Sequence, residues 1–396
     1  MSLDSWIKGK KRGEILIGTS GWDYDEWVGP FYPDPRRKLQ FYTRIFKTTE
    51  INSTFYSMPT PGLAKGLARA TPPGFVFAAK LYKGITHEKK LDPKLGATEL
   101  LEEYLNAIKP LKKAGKLGPI LVQMPPKPPD YFPRFEDFLA SLPQGWGFAV
   151  EFRDPAWLTQ QTFSLLEKYR AAYVIVDEPL LPPIVKVTTD FAYIRWHGRG
   201  ERPWYYYQYT EKELEEWVPK IKEAASQADI VYGYFNNHFR GYAPHNALQM
   251  LKLLGKADRT QIKVLEHIDS WFEVEEARKR WEAGLQKLRN NAPIEEVLAV
   301  LTTKGRLERG LQIPDDQVDV ELKGNVVEGR IKNYTFRIDL EKREIIHNCA
   351  DWEKTSQTKM LCKHLVKVFT KLPPEKAKEI LEEIAQNPSQ WKFMLL

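Results

Sequence analysis

Phe191-Ala-Tyr-Ile-Arg-Trp-His-Gly198 is the stretch that decides the fold. Its apolar residues run on without period-two alternation, as in a strand buried on both faces, and the run stops on polar and charged side chains. Seven other stretches repeat the design: Glu14–Ser20, Thr48–Phe55, Phe75–Leu81, Pro119–Met124, Gly147–Arg153, Tyr173–Glu178 and Asp229–Asn237. Between them lie segments long enough for crossover helices, among them Arg36–Lys47, Thr98–Ala114, Leu158–Arg170 and Glu211–Gln227. Eight strand–helix alternations over roughly 250 residues predict a parallel (β/α)8 TIM barrel of the α/β class. Active sites on that fold sit at the carboxyl ends of the strands. The sequence puts Ser20 and Trp22, Asn52 and Ser53, Lys80, Gln123, Glu151 and Arg153, Asp177, Arg195 and His197, then Asn236 and Asn237 there. A barrel with only a structural role has little reason to gather so much charge at one rim. A catalytic or binding site is expected there.

The composition bounds the class. With 396 residues, 42% of them hydrophobic, and 12 Trp, 18 Tyr and 19 Phe, the chain can bury a large core and hold two or three domains. The opening MSLDSWIKGKKRGE has no apolar h-region, and no run approaches bilayer length, so a cytoplasmic protein without a membrane partner is expected. Two cysteines exclude a disulfide scaffold. The net charge of +7 permits a polyanionic partner without demanding one, because 59 basic residues face 52 acidic ones. The excess is not held in a tail, since residues 301–396 carry 17 Lys/Arg against 15 Asp/Glu.

The barrel is expected to close with a helix at Asn246–Gly255 and to carry a helical appendage, Lys263–His267 and Val274–Leu288, so that it occupies residues 1–290. Asn290-Asn-Ala-Pro293 reads as a break. A small α+β domain is expected over 291–396, with strands Val318–Leu322, Val326–Ile331, Tyr334–Leu340 and Glu344–Cys349, then helices near Met360–Lys371 and Pro374–Ala385.

Both cysteines fall in this second domain, each with a histidine two residues away on its outer side: His347-x-Cys349 and Cys362-x-His364. Ligands at i and i+2 at a strand end share a face, and the second pair sits where a helix begins. Two thiolates and two imidazoles make a tetrahedral donor set for Zn²⁺ with no open position, hence a structural site. Two buried free thiols beside incidental histidines is the plainer alternative. The stretch resembles the SWIM zinc-finger family through Gly324-Asn-Val-Val-Glu-Gly-Arg-Ile331, Tyr334-Thr-Phe-Arg-Ile-Asp-Leu340, Cys349, Trp352 and Cys362-Lys-His-Leu365. That pattern has Cys-x-Cys first, where His347 stands in this chain. The resemblance implies a DNA or protein partner for the domain.

At the barrel rim, Gly18-Thr-Ser-Gly-Trp22 with Tyr24 offers a tight turn with hydroxyls and free amides suited to an anion, or simply a capping turn. Glu50 and Asn52, Glu151 and Arg153, and Arg195 and His197 each share a face, so buried carboxylates meet Lys80, Arg153 and Arg195. A structural ion-pair network is the alternative to catalysis. His197 is the general acid/base candidate by titration range. After it, Arg199-Gly-Glu-Arg-Pro-Trp204-Tyr-Tyr-Tyr207-Gln-Tyr209 interleaves Arg with aromatics, fit to stack on bases or sugars, or to pack as a lid.

Together these residues resemble the YecE-like family over about 14–255. The match rests on Gly18–Trp22, Tyr24, Trp27, Phe31-Tyr-Pro33, Glu50–Tyr56, Thr71–Phe75, Lys80, Ile85-Thr-His87, Glu151-Phe-Arg153, His197-Gly-Arg199 and Phe235–His238 with Gly241, Ala243 and Asn246. The family implies a TIM barrel and brings no reaction with it. The barrel class also resembles the endonuclease IV and xylose-isomerase-like group. The first expectation is therefore a nucleic-acid-processing enzyme, a DNA-repair-type nuclease and so a hydrolase. Glu151, His197, Asp177 and Lys80 would carry the chemistry, with Ser20, Trp22, Tyr24, Asn52, Gln123, Arg153, Arg195, Arg199, Tyr207, Asn236 and Asn237 binding substrate. Endonuclease IV relies on several histidines, and His87, His197 and His238 are too few for that, so at most a single divalent metal is expected at the rim. The alternatives are an enzyme acting on a sugar or sugar phosphate, and a non-catalytic nucleic-acid-binding or adaptor protein.

Overall fold

The computed structural model describes residues 13–201 and 203–396. Eight strands form one parallel sheet: β1 (Glu14–Thr19), β2 (Thr48–Ile51), β3 (Val76–Lys80), β4 (Leu117–Gln123), β5 (Phe148–Glu151), β6 (Ala172–Asp177), β7 (Phe191–Trp196) and β8 (Ile230–Phe235). Neighbours pair in the order β1-β8-β7-β6-β5-β4-β3-β2. Between β1 and β2 the ring closes just past the end of β1, where the Gly21 N–H donates to the Glu50 carbonyl at 2.9 Å. The Thr49 hydroxyl also reaches the Thr19 carbonyl at 2.9 Å. Gly18 permits this approach, since a Cβ there would meet the Thr48 carbonyl oxygen at 2.2 Å. Apart from the first two residues of β1, every residue of the eight strands is buried, as the unbroken apolar runs predict.

Helices at Lys38–Ile45, Pro61–Ala70, Ala97–Lys113, Phe135–Ala140, Gln160–Lys168 and Trp217–Gln227 link successive strands, and Tyr242–Leu253 follows β8. Thr60, Thr159 and Thr210 cap three helix starts, each hydroxyl accepting an N–H three residues on. The link from β6 to β7 has no helix. Its sequence, Glu178-Pro-Leu-Leu-Pro-Pro-Ile184, cannot hold one with three prolines in seven residues.

Two compact units divide between Ile268 and Asp269, inside a helix spanning Arg259–Arg289. The expected appendage is thus one continuous helix. Its first turns are held by the barrel through Gln261 to the Ile45 carbonyl at 2.7 Å. Its later turns belong to the second unit, where the Trp281 indole donates to the Lys359 carbonyl at 2.9 Å. The second unit adds helices Ile294–Leu301 and Lys304–Leu311, and then a five-stranded sheet in the order β13-β12-β11-β10-β9. Strands β9 (Val318–Lys323), β10 (Val326–Ile331), β11 (Tyr334–Asp339) and β12 (Glu344–His347) form an antiparallel meander. Strand β13 (Lys392–Leu395) pairs parallel to β12, a long-range contact no local pattern announces. Helices Ala350–Thr355, Lys363–Lys371 and Pro374–Gln386 complete it. Among the described residues, no helix is long and apolar enough to cross a membrane.

Candidate functional site

Side chains that point into the barrel change character from one end to the other. Leu16, Val76, Ala78, Leu121, Ala149, Val174, Val176, Tyr193, Tyr232 and Tyr234 form an apolar cluster. Two residues further along the same faces stand Lys80, Gln123, Glu151, Glu178, Arg195 and Asn236.

The deepest polar layer is a locked ion network. Arg195 donates to Glu50 Oε1 at 2.8 Å and to Glu151 Oε2 at 2.6 Å, with all three side chains at most 1% exposed. Glu50 Oε2 accepts the Tyr193 hydroxyl at 2.6 Å. Glu151 Oε1 accepts from Gln123 at 2.7 Å and from Arg153 at 3.0 Å. Burial alone would raise the Glu151 carboxyl, but Arg195, His197 and Arg153 hold it well below the usual range. Ser20 closes the network, its hydroxyl 3.3 Å from Arg195. His197 lies above it, with Nε2 3.4 Å from Glu151 and Nδ1 3.0 Å from the Asn236 amide. Nε2 also lies 3.3 Å from the Arg195 guanidinium. Burial brings the imidazole down to about 4, so it is neutral at pH 7.

Above the network opens a cavity of about 870 Å³, lined by Tyr24, Asn52, Phe55, Tyr56, Lys80, Gln123, Arg153, Glu178, His197, Trp204, Tyr205, Asn236 and His238, among others. Flat rings form one wall: His238 is stacked between Tyr24, at 4.6 Å, and Tyr205, at 4.5 Å. Two groups in the cavity titrate near neutrality. Burial, then the neighbouring Glu151, raises the Glu178 carboxyl to about 7, and its Oε2 has no hydrogen-bond partner among the described residues. Burial, then Arg195, lowers the Lys80 amine to about 7. Asn52 Oδ1 is likewise buried without a partner among the described residues.

Of the sequence candidates, the structure brings Tyr24, Asn52, Lys80, Gln123, Arg153, His197 and Asn236 to this cavity, with Ser20, Glu151 and Arg195 directly beneath. Others lie elsewhere. Asp177 points to the outer side of β6, where it accepts from Arg199 at 3.0 Å and from the Trp217 indole at 2.8 Å. That engages Arg199 as well. Asn237 is buried against the Tyr207 carbonyl and Asn246. The Tyr207 hydroxyl is taken by Glu213. Trp22 packs on Phe77 at 5.8 Å. Glu178 went unnoticed in the sequence, although the face it shares with Val174 and Val176 was a signal for it.

In the second unit His347, Cys349, Cys362 and His364 are all buried, with one potential ligand atom from each lying within 4.8 Å of the others. His347 Nδ1 donates to the Thr335 carbonyl at 2.7 Å, which fixes the ring and leaves Nε2 facing the cluster. The hydrogen bond from Cys362, joined by both histidines, holds the Cys349 thiol low, whereas burial pushes Cys362 up. This donor set could hold a metal ion.

Residues 16–268 match the family model described as "Protein of unknown function DUF72". The chain belongs to the DUF72 family. The match ends where the first compact unit ends. Among relatives, UPF0759 protein YunF of Bacillus subtilis is 27% identical over 270 residues, covering 61% of this chain and 94% of that protein. UPF0759 protein YecE of Escherichia coli is 29% identical over 147 residues, 37% of this chain and 51% of that one. A DUF72 family protein of Thermotoga maritima superposes with a TM-score of 0.56 at 32% identity, covering 61% of this chain and 99% of the other.

Proposed function

We propose that this DUF72 barrel is a nucleic-acid-processing enzyme of the repair type, which admits one nucleotide of a damaged strand into the rim cavity. The observation that carries the reading is the cavity itself: stacked aromatic rings on one side, with Lys80, Arg153, Glu178 and His197 on the others. Rings of this kind stack on a displaced base, whereas a duplex interior is closed to chemistry until a nucleotide is flipped out. Arg153 is the cation open to a phosphate, since Arg195 is spent on two carboxylates. Glu178, protonated for part of the time at pH 7, is the general acid, and its conjugate base can take a proton back. Glu50 and Glu151 are engaged by Arg195 and neighbours, which argues for chemistry without a rim metal. In the second domain we assign a structural Zn²⁺ to His347, Cys349, Cys362 and His364 in a SWIM-like finger that helps grip DNA or a protein partner. The modest cavity volume also suits a free sugar or sugar phosphate, the second reading.

The test is a panel of labelled duplexes, intact or carrying an abasic site, followed by anisotropy at two salt concentrations and by product gels. Tighter binding of the damaged duplex, with cleavage lost in Glu178→Gln, supports the proposal. Equal binding of both duplexes without product would sink it.

A further inference from the structure

Lys80 is an amine built into the cavity with no carboxylate bonded to it among the described residues, although the charges of Glu50 and Glu151 act on it from the layer beneath. Thr54 Oγ1, at 2.6 Å, and the Tyr104 hydroxyl, at 2.9 Å, donate to its backbone carbonyl and fix the end of β3. Its Nζ sits 4.0 Å from the Phe55 ring centroid. Among the described residues no hydrogen bond or ion pair engages that nitrogen, and Lys80 is 7% exposed on the cavity wall. A buried ammonium kept only for stability would be paired. We propose that Lys80 is a covalent nucleophile that forms an imine with the aldehyde of an open-chain sugar. The proposal rests on the nucleic-acid reading for one source of that aldehyde, an abasic deoxyribose, while a free aldose is the other.

The step balances with groups in the cavity. The Nζ lone pair attacks the aldehyde carbon, forming a C–N bond and, after proton transfer from nitrogen to oxygen, a carbinolamine. Glu178 gives its proton to the departing hydroxyl, which leaves as water, and a protonated imine and the Glu178 carboxylate remain in the one cavity. At an abasic site that carboxylate removes a proton from C2. The electron pair moves in to form the C2–C3 double bond, and the C3–O bond breaks with its pair on the phosphate. Water then hydrolyses the imine and returns the amine. Burial favours the unprotonated amine that this requires. At pH 7 it is on the order of a thousandfold more abundant on Lys80 than on a surface lysine near 10.4.

Trapping with cyanoborohydride decides it. The full chain is incubated at pH 7 with a duplex carrying one abasic site, or separately with ribose 5-phosphate. Reduction converts any imine to a stable secondary amine, and peptide mass spectrometry on the wild-type chain locates it. An adduct at Lys80, at least about tenfold above any other lysine and absent in Lys80→Arg, is the expected result. The site mapping needs no variant to fold. A Lys80 adduct with the duplex supports both readings. One with ribose 5-phosphate alone, without damage-selective DNA binding, upholds the nucleophile and overturns the nucleic-acid reading. Damage-selective binding and cleavage without an adduct overturns the nucleophile and leaves the enzyme hydrolytic. Adducts scattered over surface lysines overturn it as well.

Discussion

Arg195→Met removes the cation that two buried carboxylates share, and its cost can be worked from the geometry. Arg195 lies 2.8 Å from Glu50 and 2.6 Å from Glu151. At an effective dielectric of about 20, each contact is worth roughly 6 kcal/mol of attraction, but desolvation of the three charges offsets much of it. Glu151 keeps Gln123 and Arg153, whereas Glu50 keeps the Tyr193 hydroxyl alone among the described residues. Glu50 is therefore left as a buried carboxylate without its cation, and removing one partner of a buried pair costs about 3–5 kcal/mol. A deficit of about 3–4 kcal/mol is expected, or roughly 6–16 °C in Tm for a barrel of this size. Urea denaturation followed by tryptophan fluorescence at pH 7 reads the deficit. Adding Glu50→Leu removes that carboxylate and is expected to restore at least about half of the loss. A deficit under about 1 kcal/mol, the scale of a surface pair, or no recovery in the double variant, would show that Arg195 is not what compensates the buried Glu50.

Asp177→Asn is expected to cost about 1–3 kcal/mol by loosening Arg199 and Trp217, while leaving ligand binding in the cavity intact; a selective loss of binding would return Asp177 to the site. Metal analysis of the purified chain should find about one Zn²⁺, lost in Cys362→Ser together with the unfolding transition of the second domain but not that of the barrel. Lys80→Met should stabilise the barrel. The lowered folded pKa of Lys80 costs roughly 4 kcal/mol at pH 7 and below, a cost relieved as pH rises from 7 towards 10.4, so the advantage of the variant should fade over that window. Denaturation curves at pH 7 and pH 10 measure it, and a difference that does not change with pH counts against an amine near neutrality.

The barrel was legible because every strand is buried on both faces, and unbroken apolar runs such as Tyr173-Val-Ile-Val have few other readings. The rim was legible for the same reason: the run ends where the interior turns polar. What failed was direction within a run. Asp177 is the more conspicuous acid, yet Val174 and Val176 face inward, so parity sends Asp177 outward to Arg199 and brings Glu178 into the cavity. Asn236 and Asn237 divide in the same way. The Cys/His cluster was legible from spacing alone, since i and i+2 at the end of β12 leave His347 and Cys349 on one side. Helix Ile294–Leu301 and strand β13 were not, because their apolar residues answer partners far away in the chain.

The ion layer and the cavity above it act as one electrostatic unit. After burial, the largest influence on the Glu178 carboxyl is the negative charge of Glu151, which raises it, and the largest on the Lys80 amine is the positive charge of Arg195, which lowers it. Glu151 stays ionised in a fully buried position because Arg195 is beside it. Burial brings both groups towards pH 7, with Glu151 adding to the rise of Glu178 and Arg195 to the fall of Lys80, each partly offset by the other member of the pair. The buried ion layer therefore acts on the titration of the cavity groups above it. Arg195→Met should change the titration of the cavity as well as the stability of the barrel, by letting the Lys80 amine rise, which the pH dependence of Lys80 modification by an amine reagent would show.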